Sequence, residues 1–140
     1  MTGPIVADRD GMRYVLEGAT GDSWLIWNPR TGERCHLPAE TLDRVADVAP
    51  LDAIAEAFPA GAEDLDGVPD RRALGLLLDI DASGPTGVRA LLDGTALCES
   101  DLHGRLGEMQ AAGLLREVRV AGERGYKTTE SAAAAIEEFR

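Results

Sequence analysis

Between residues 71 and 128 the order of apolar residues, glycines and prolines leaves the chain few ways to fold. Ala73, Leu74, Leu77, Leu78 and Ile80 recur at spacings of three and four, which lines one face of a helix that Asp70 can cap. Gly84-Pro85 stops it. A short helix over about 87–92 follows, with Val88, Leu91 and Leu92 inward, and Asp93-Gly94 supplies a tight turn. Leu97 plugs the angle before a further helix over about 99–112, whose buried stripe is Leu102, Leu106 and Met109. Gly113 can end that helix in the left-handed conformation. Val118 and Val120 then alternate with Glu117 and Arg119, a turn runs over 121–125, and Tyr126, Lys127 and Thr128 return as a second strand. The sequence thus predicts two helices joined by a turn, then a hairpin, with one helix face and one loop tip side by side in solvent.

That face carries Ser100, His103, Gly104 and Gly107, with Glu99 and Asp101 at its entrance and Arg105 flanking. Glycine weakens a helix by about 1 kcal/mol relative to alanine, so Gly104 and Gly107 suggest close approach by another backbone. Arg119, Arg124 and Lys127 concentrate at the hairpin of an otherwise acidic chain. A turn-borne arginine suits phosphates or a narrow minor groove, and equally it can pair with neighbouring carboxylates. Thr129 can cap a last helix whose stripe of Ala132, Ala135, Ile136 and Phe139 exceeds what such a small domain covers. A second copy is the expected cover, giving a homodimer.

The first third reads as strands at 5–7, 12–17, 23–27 and 33–37, joined through Asp10-Gly11, 18–22 and Asn28-Pro29-Arg30-Thr31-Gly32. This predicts an antiparallel sheet of three or four strands, with Trp24 and Trp27 on opposite faces. Two short amphipathic stretches, one of Leu42, Val45 and Ala46 and one of Leu51, Ile54, Ala55 and Phe58 behind Pro50, supply a helical cover. The expected class is α+β. Residues 1–58 form a small β-rich domain with one or two helices, 59–69 an acidic Gly/Pro linker, and 70–140 a second domain.

Composition bears on partners. Asp and Glu number 25 against 14 Lys and Arg, for a net charge of -11, and Lys127 is the sole lysine. Such charge opposes a polyanion at long range. Its even dispersal fits a halophilic cytoplasm, where molar salt shortens the Debye length to roughly 3 Å and removes most of that opposition. In a host of ordinary salt the same charge favours a protein partner. Cys35 and Cys98 are far apart, and neither a secretory leader nor an apolar run of membrane-spanning length is evident, so a cytoplasmic protein with free thiols and no membrane contact is expected. Cys35-His36 and Cys98 with His103 lack the spacing of a metal site, and no catalytic motif stands out. Neither a metal, nor a cofactor, nor an enzymatic activity is expected.

The run 102–115, the following strand-turn-strand and Tyr126-Lys127-Thr128-Thr129-Glu130 resemble winged helix-turn-helix transcriptional regulators of the ArsR-like and MarR-like kind common in archaea. The resemblance covers residues 71–140. With its acidic, lysine-poor composition and β-rich N-terminal segment, the whole chain is similar to a haloarchaeal family that carries this domain and has no assigned function. The resemblance implies double-stranded DNA as partner, 88–92 as positioning helix, Ser100, His103 and Gly104 facing the groove, and Arg124 at the wing tip. Arg105 would join Ser100 and His103 at base edges or phosphates, while Arg89, Arg119, Arg124 and Lys127 grip the backbone. The alternative is a protein-interaction module on the same scaffold, and the N-terminal domain could itself take a protein partner.

Overall fold

The computed structural model describes residues 3–46, 48–59 and 65–140. Among them the architecture is α+β, with a five-stranded and a three-stranded sheet, both antiparallel, and five α-helices.

Strands β1 (Ile5–Ala7), β2 (Arg13–Thr20), β3 (Ser23–Trp27), β4 (Arg34–Pro38) and β5 (Asp43–Arg44) make the first sheet in the order β4-β3-β2-β1-β5. At the β3–β4 turn the Asn28 carboxamide accepts from the Arg30 amide at 2.9 Å, and Gly32 takes a φ of +81°. Strand alternation divides the two tryptophans as expected. Trp27 lies with Ile5 and Val15 on the face that enters the main core, and Trp24 packs on the other face against Val6, Leu16, Ile26 and Leu42.

The amphipathic stretch expected at Leu42, Val45 and Ala46 is not a helix. A 3-10 turn at Ala39–Thr41 leads into β5, and Asp43 and Arg44 pair with Ala7 and Val6 of β1. So short a stretch cannot nucleate a helix unaided, whereas the open edge of β1 offers backbone partners at once. That adds the fifth strand.

Helix α1 (Pro50–Ala57) carries proline in its first turn and buries Leu51, Ala53, Ile54 and Ala55. It lies on α2 (Arg71–Ser83), whose cap is Asp70, accepting from the Ala73 amide at 2.8 Å. The sequence shows one apolar face on α2, but every residue from Ala73 to Ile80 is buried, including Leu76 and Asp79. A helix covered all round is a central one. The core runs through Trp27 of the sheet, Ile54 of α1 and Leu77 of α2 into the elements beyond, so the stretches expected as separate domains share one apolar interior. Of the expected linker, residues 60–64 lie outside the described residues, while Leu65 and Val68 pack on this core.

After α2, β6 (Thr86–Gly87) leads into α3 (Val88–Thr95). Asp93-Gly94 lies inside α3 instead of forming the turn, because the helix runs on to Thr95, whose hydroxyl donates to the Leu91 carbonyl at 2.6 Å. Ala96 makes the turn at a φ of 59°. Helix α4 (Glu99–Ala111) buries Leu102, Leu106 and Met109 and closes at Gly113, with the Leu114 amide donating to the Met109 carbonyl at 2.9 Å. Strands β7 (Leu115–Val120) and β8 (Glu123–Thr128) join β6 in the order β6-β8-β7. Their turn is only Ala121 and Gly122, both at positive φ, where five residues were expected.

Helix α5 (Glu130–Phe139) starts from Thr129, whose hydroxyl oxygen accepts from the Ala132 amide at 3.2 Å. The apolar stripe expected to need a second copy is covered within the chain. Ala132 and Ile136 are core residues, and the Phe139 ring meets Phe58 at 6.1 Å. The cover comes from the α1 end of the chain, which the local pattern of α5 does not reveal.

The α1–α2 crossing is so close that a Cβ at Gly75 would overlap the Leu51 carbonyl. Gly75→Ala is expected to destabilise the whole chain by about 1–3 kcal/mol through overpacking. Urea unfolding followed by tryptophan fluorescence and by far-ultraviolet circular dichroism should show one coincident transition, shifted alike for both probes. Two separated transitions would mean that the sheet and α2 do not fold as one unit.

Candidate functional site

The residues expected to act at a surface divide into those the fold has already engaged and those it leaves open. Arg105 is engaged. Its Nη2 lies 2.8 Å from Asp70 Oδ2 and its Nε 3.2 Å from Oδ1, and Nη1 donates to the Asp101 carbonyl at 3.3 Å. The side chain is 19% exposed, so Arg105 latches α4 to the start of α2 instead of flanking an open face. Partial burial pushes the Asp70 carboxyl up, but the hydrogen bond from Arg105 and that from the Ala73 amide outweigh it and hold the carboxyl below its ordinary value.

Arg124 is engaged as well, and it is not the tip of the hairpin. Ala121 and Gly122 hold the tip, because the short turn lets the strands zip as far as Val120 and Glu123. Arg124 Nε sits 2.7 Å from Glu117 Oε1, and its Nη2 donates to the Tyr126 hydroxyl at 2.7 Å.

Turn length also decides which cations meet. A five-residue turn would set Arg119 opposite Lys127, whereas the observed register sets Arg116 opposite Lys127 and Arg119 opposite Arg124. Arg116 thereby becomes a site residue that the sequence reading passed over. Its signal was the register. Because side chains alternate along a strand, the Arg116–Lys127 pair and the Arg119–Arg124 pair fall on opposite faces of the hairpin. Arg119 Nη1 donates to the Gly122 carbonyl at 2.9 Å, and no carboxylate among the described residues pairs with Arg116, Arg119 or Lys127. A cleft of about 470 Å³ lies between Arg116, Lys127 and the Thr129–Ser131 start of α5, and a groove of about 390 Å³ holds Arg119, Arg124 and Glu117.

Helix α4 presents a different surface. Ser100 and Gly104 are exposed, and His103 is half-buried with its Nε2 3.7 Å from Glu99 Oε1. Beside them Glu99, Asp101 and Glu108 are exposed, so the outer face of α4 is acidic once Arg105 is committed inward. Nothing lies within 4 Å of a Cβ built on Gly104 or Gly107, so no contact within the chain requires glycine there. Arg89, in the first turn of α3, is exposed and has no carboxylate partner among the described residues.

Cys35 and Cys98 are exposed free thiols, and the described residues contain no group of three or more His, Cys, Asp or Glu placed to hold a metal ion. No helix among the described residues is long and apolar enough to cross a membrane. The described surface thus sets a β-ribbon bearing cations without carboxylate partners beside an acidic helix face.

The sequence profile of one family, described as a family of unknown function (DUF7346), matches residues 4–140, and the chain belongs to that family. No curated protein and no solved structure matches the chain.

Asp70 both caps α2 and pairs with Arg105, and two substitutions separate these roles. Asp70→Asn keeps an acceptor for the Ala73 amide and removes the charge, whereas Asp70→Ala removes both and should cost about 1 kcal/mol more. Because the folded carboxyl titrates below its unfolded value of about 3.9, its charge-dependent stabilisation is complete above that pH and disappears as pH falls through the folded value. The stability difference between the native chain and Asp70→Asn should therefore be constant from neutral pH down to about 5 and shrink below about 4. Urea melts across this range would show it, and a gap that widens on acidification would refute the latch.

Proposed function

We propose that this member of the family is a DNA-binding transcription regulator in which α2 to β8 form a winged helix-turn-helix, and that its hairpin, more than α4, grips the duplex. Support for the scaffold comes from the pair α3 and α4 about the left-handed Ala96, followed by the β7–β8 ribbon anchored through β6. The observation that carries the function is the opposition of Arg116 to Lys127 across that ribbon, with Arg119 also left without a carboxylate partner among the described residues. Like charges directly opposite one another cost stability, and a polyanion between or beside them relieves that cost. Arg89 at the start of α3 adds a further phosphate contact.

Helix α4 then has a secondary part. Ser100 and His103 can reach base edges, and the bare backbone at Gly104 and Gly107 permits close approach, but Glu99, Asp101 and Glu108 keep the helix from seating against phosphates. The duplex is held mainly through its backbone, with base contacts at few positions. A homodimer spanning two half-sites remains part of the proposal, and its contact must use a surface other than the buried stripe of α5.

One set of observations favours a second reading. Arg105 and Arg124 are tied in ion pairs and the exposed face of α4 is acidic, which suits a basic protein partner better than a nucleic acid.

Fluorescence anisotropy with a labelled pool of random duplex DNA, at low and at molar potassium chloride, distinguishes the two. Under the first reading the native chain binds, Arg116→Gln and Arg119→Gln each weaken binding severalfold, and each lowers the slope of log K against log salt by about 1. Glu99→Gln should tighten it. Absence of duplex binding at both salts, or affinity indifferent to all three substitutions, would leave the protein-partner reading standing.

A further inference from the structure

A cavity of about 580 Å³ opens on the other side of the molecule, between the β1–β2 turn, the β3–β4 turn and the second half of α1. Its floor is apolar. Ala53 and Phe58 are buried there, Ala57 is half-buried, and Met12, at 37% exposed, is the sole exposed large hydrophobic residue among those described. Its rim carries two guanidinium groups and one carboxylate, that of Glu56, which also holds Arg71 at 3.3 Å. Arg30 is exposed with no carboxylate partner among the described residues, and Arg13 reaches Glu56 only at 3.8 Å. In a chain of net charge -11, two guanidinium groups against one carboxylate above an apolar floor form a local excess of positive charge.

The volume falls in the range of small-molecule sites, which combine apolar walls with a few placed polar groups. A guanidinium recognises a carboxylate through two parallel hydrogen bonds, and a loosely held one such as Arg13 can exchange Glu56 for a ligand. We propose that this cavity binds a small monocarboxylate with an apolar body, its carboxylate on Arg30 and Arg13 and its hydrocarbon on Met12, Ala57 and Phe58. The site is independent of the DNA-binding reading. It is placed to report, because Phe58 also meets Phe139, lies under the Arg140 guanidinium at 5.4 Å, and follows the helix that crosses α2 at Gly75.

Amide chemical shifts of the full chain, followed by nitrogen-15 correlation spectra, test this with sodium octanoate as the probe and 1-octanol as its uncharged match. Octanoate should give saturable shifts confined to residues 11–13, 30 and 53–58, with octanol weaker by about tenfold. Arg30→Gln, an exposed substitution, should remove most of that preference, and Met12→Ser should weaken both probes. Diffuse or non-saturating shifts, equal binding of the two probes by the native chain, or an Arg30→Gln chain that prefers octanoate as before would each overturn the assignment. None of these readouts involves DNA, so they stand or fall apart from the duplex experiment.

Discussion

The close crossing of α1 over α2 at Gly75 is the constraint on which the rest of the molecule hangs. Without a side chain there, the backbone of α1 at Leu51 rests directly on α2, and helix α2 is wrapped on every side from Ala73 to Ile80. The sheet contributes Trp27 and Val15 to the core around this helix, and α4 contributes Leu102, Leu106 and Met109 to the same interior. The polar ends of α2 are used as well. Asp70 at its start holds Arg105 of α4, and Asp81 near its end accepts from the Thr128 hydroxyl of β8 at 3.0 Å. One helix thereby sets the position of both the acidic helix and the cationic ribbon.

Features that depend on a few neighbouring residues were legible in the sequence. The caps at Asp70 and Thr129, the left-handed stop at Gly113, proline in the first turn of α1 and the division of Trp24 from Trp27 all follow from local geometry. Features that depend on distant partners were not. Residues 43 and 44 became a strand because β1 had an open edge, α2 proved buried on all faces because α1 covers it, and the stripe of α5 found Phe58 instead of a second copy. The hairpin shows how a small local error spreads. Ala121-Gly122 forms a turn with alanine at positive φ, a conformation that residue seldom adopts, and the shorter turn reassigns every cross-strand neighbour, which is why Arg116 was missed and Arg124 misplaced.

Charge is sorted in this molecule more sharply than its composition suggests. Arg34 pairs with Glu17, Arg71 with Glu56, Arg105 with Asp70 and Arg140 with Glu137, so many cations outside the ribbon are neutralised where they stand. Arg116, Arg119 and Lys127 are left without carboxylate partners among the described residues on a hairpin of two six-residue strands. At molar salt, fields beyond a few ångströms are screened, so the net charge of -11 weighs less than which groups lie in direct contact. By that measure the ribbon is cationic and α4 anionic, and a ligand that touches both must approach mainly from the ribbon.

The cavity on α1 and the ribbon are also joined mechanically. Phe58 and Ala53 line the cavity, Leu51 at the start of the same helix bears on Gly75, and the far end of α2 holds β8 through Asp81 and Thr128, the neighbour of Lys127. Packed interiors do not deform gradually, so a tilt of α1 has to displace α2 as a body or be refused. The tightest point on this line is Gly75 against the Leu51 carbonyl, and at the base of the ribbon a part-buried hydrogen bond joins α2 to β8. A molecule bound on Arg30 and Phe58 would bear on α1, and α1 bears in turn on the helix that holds β8.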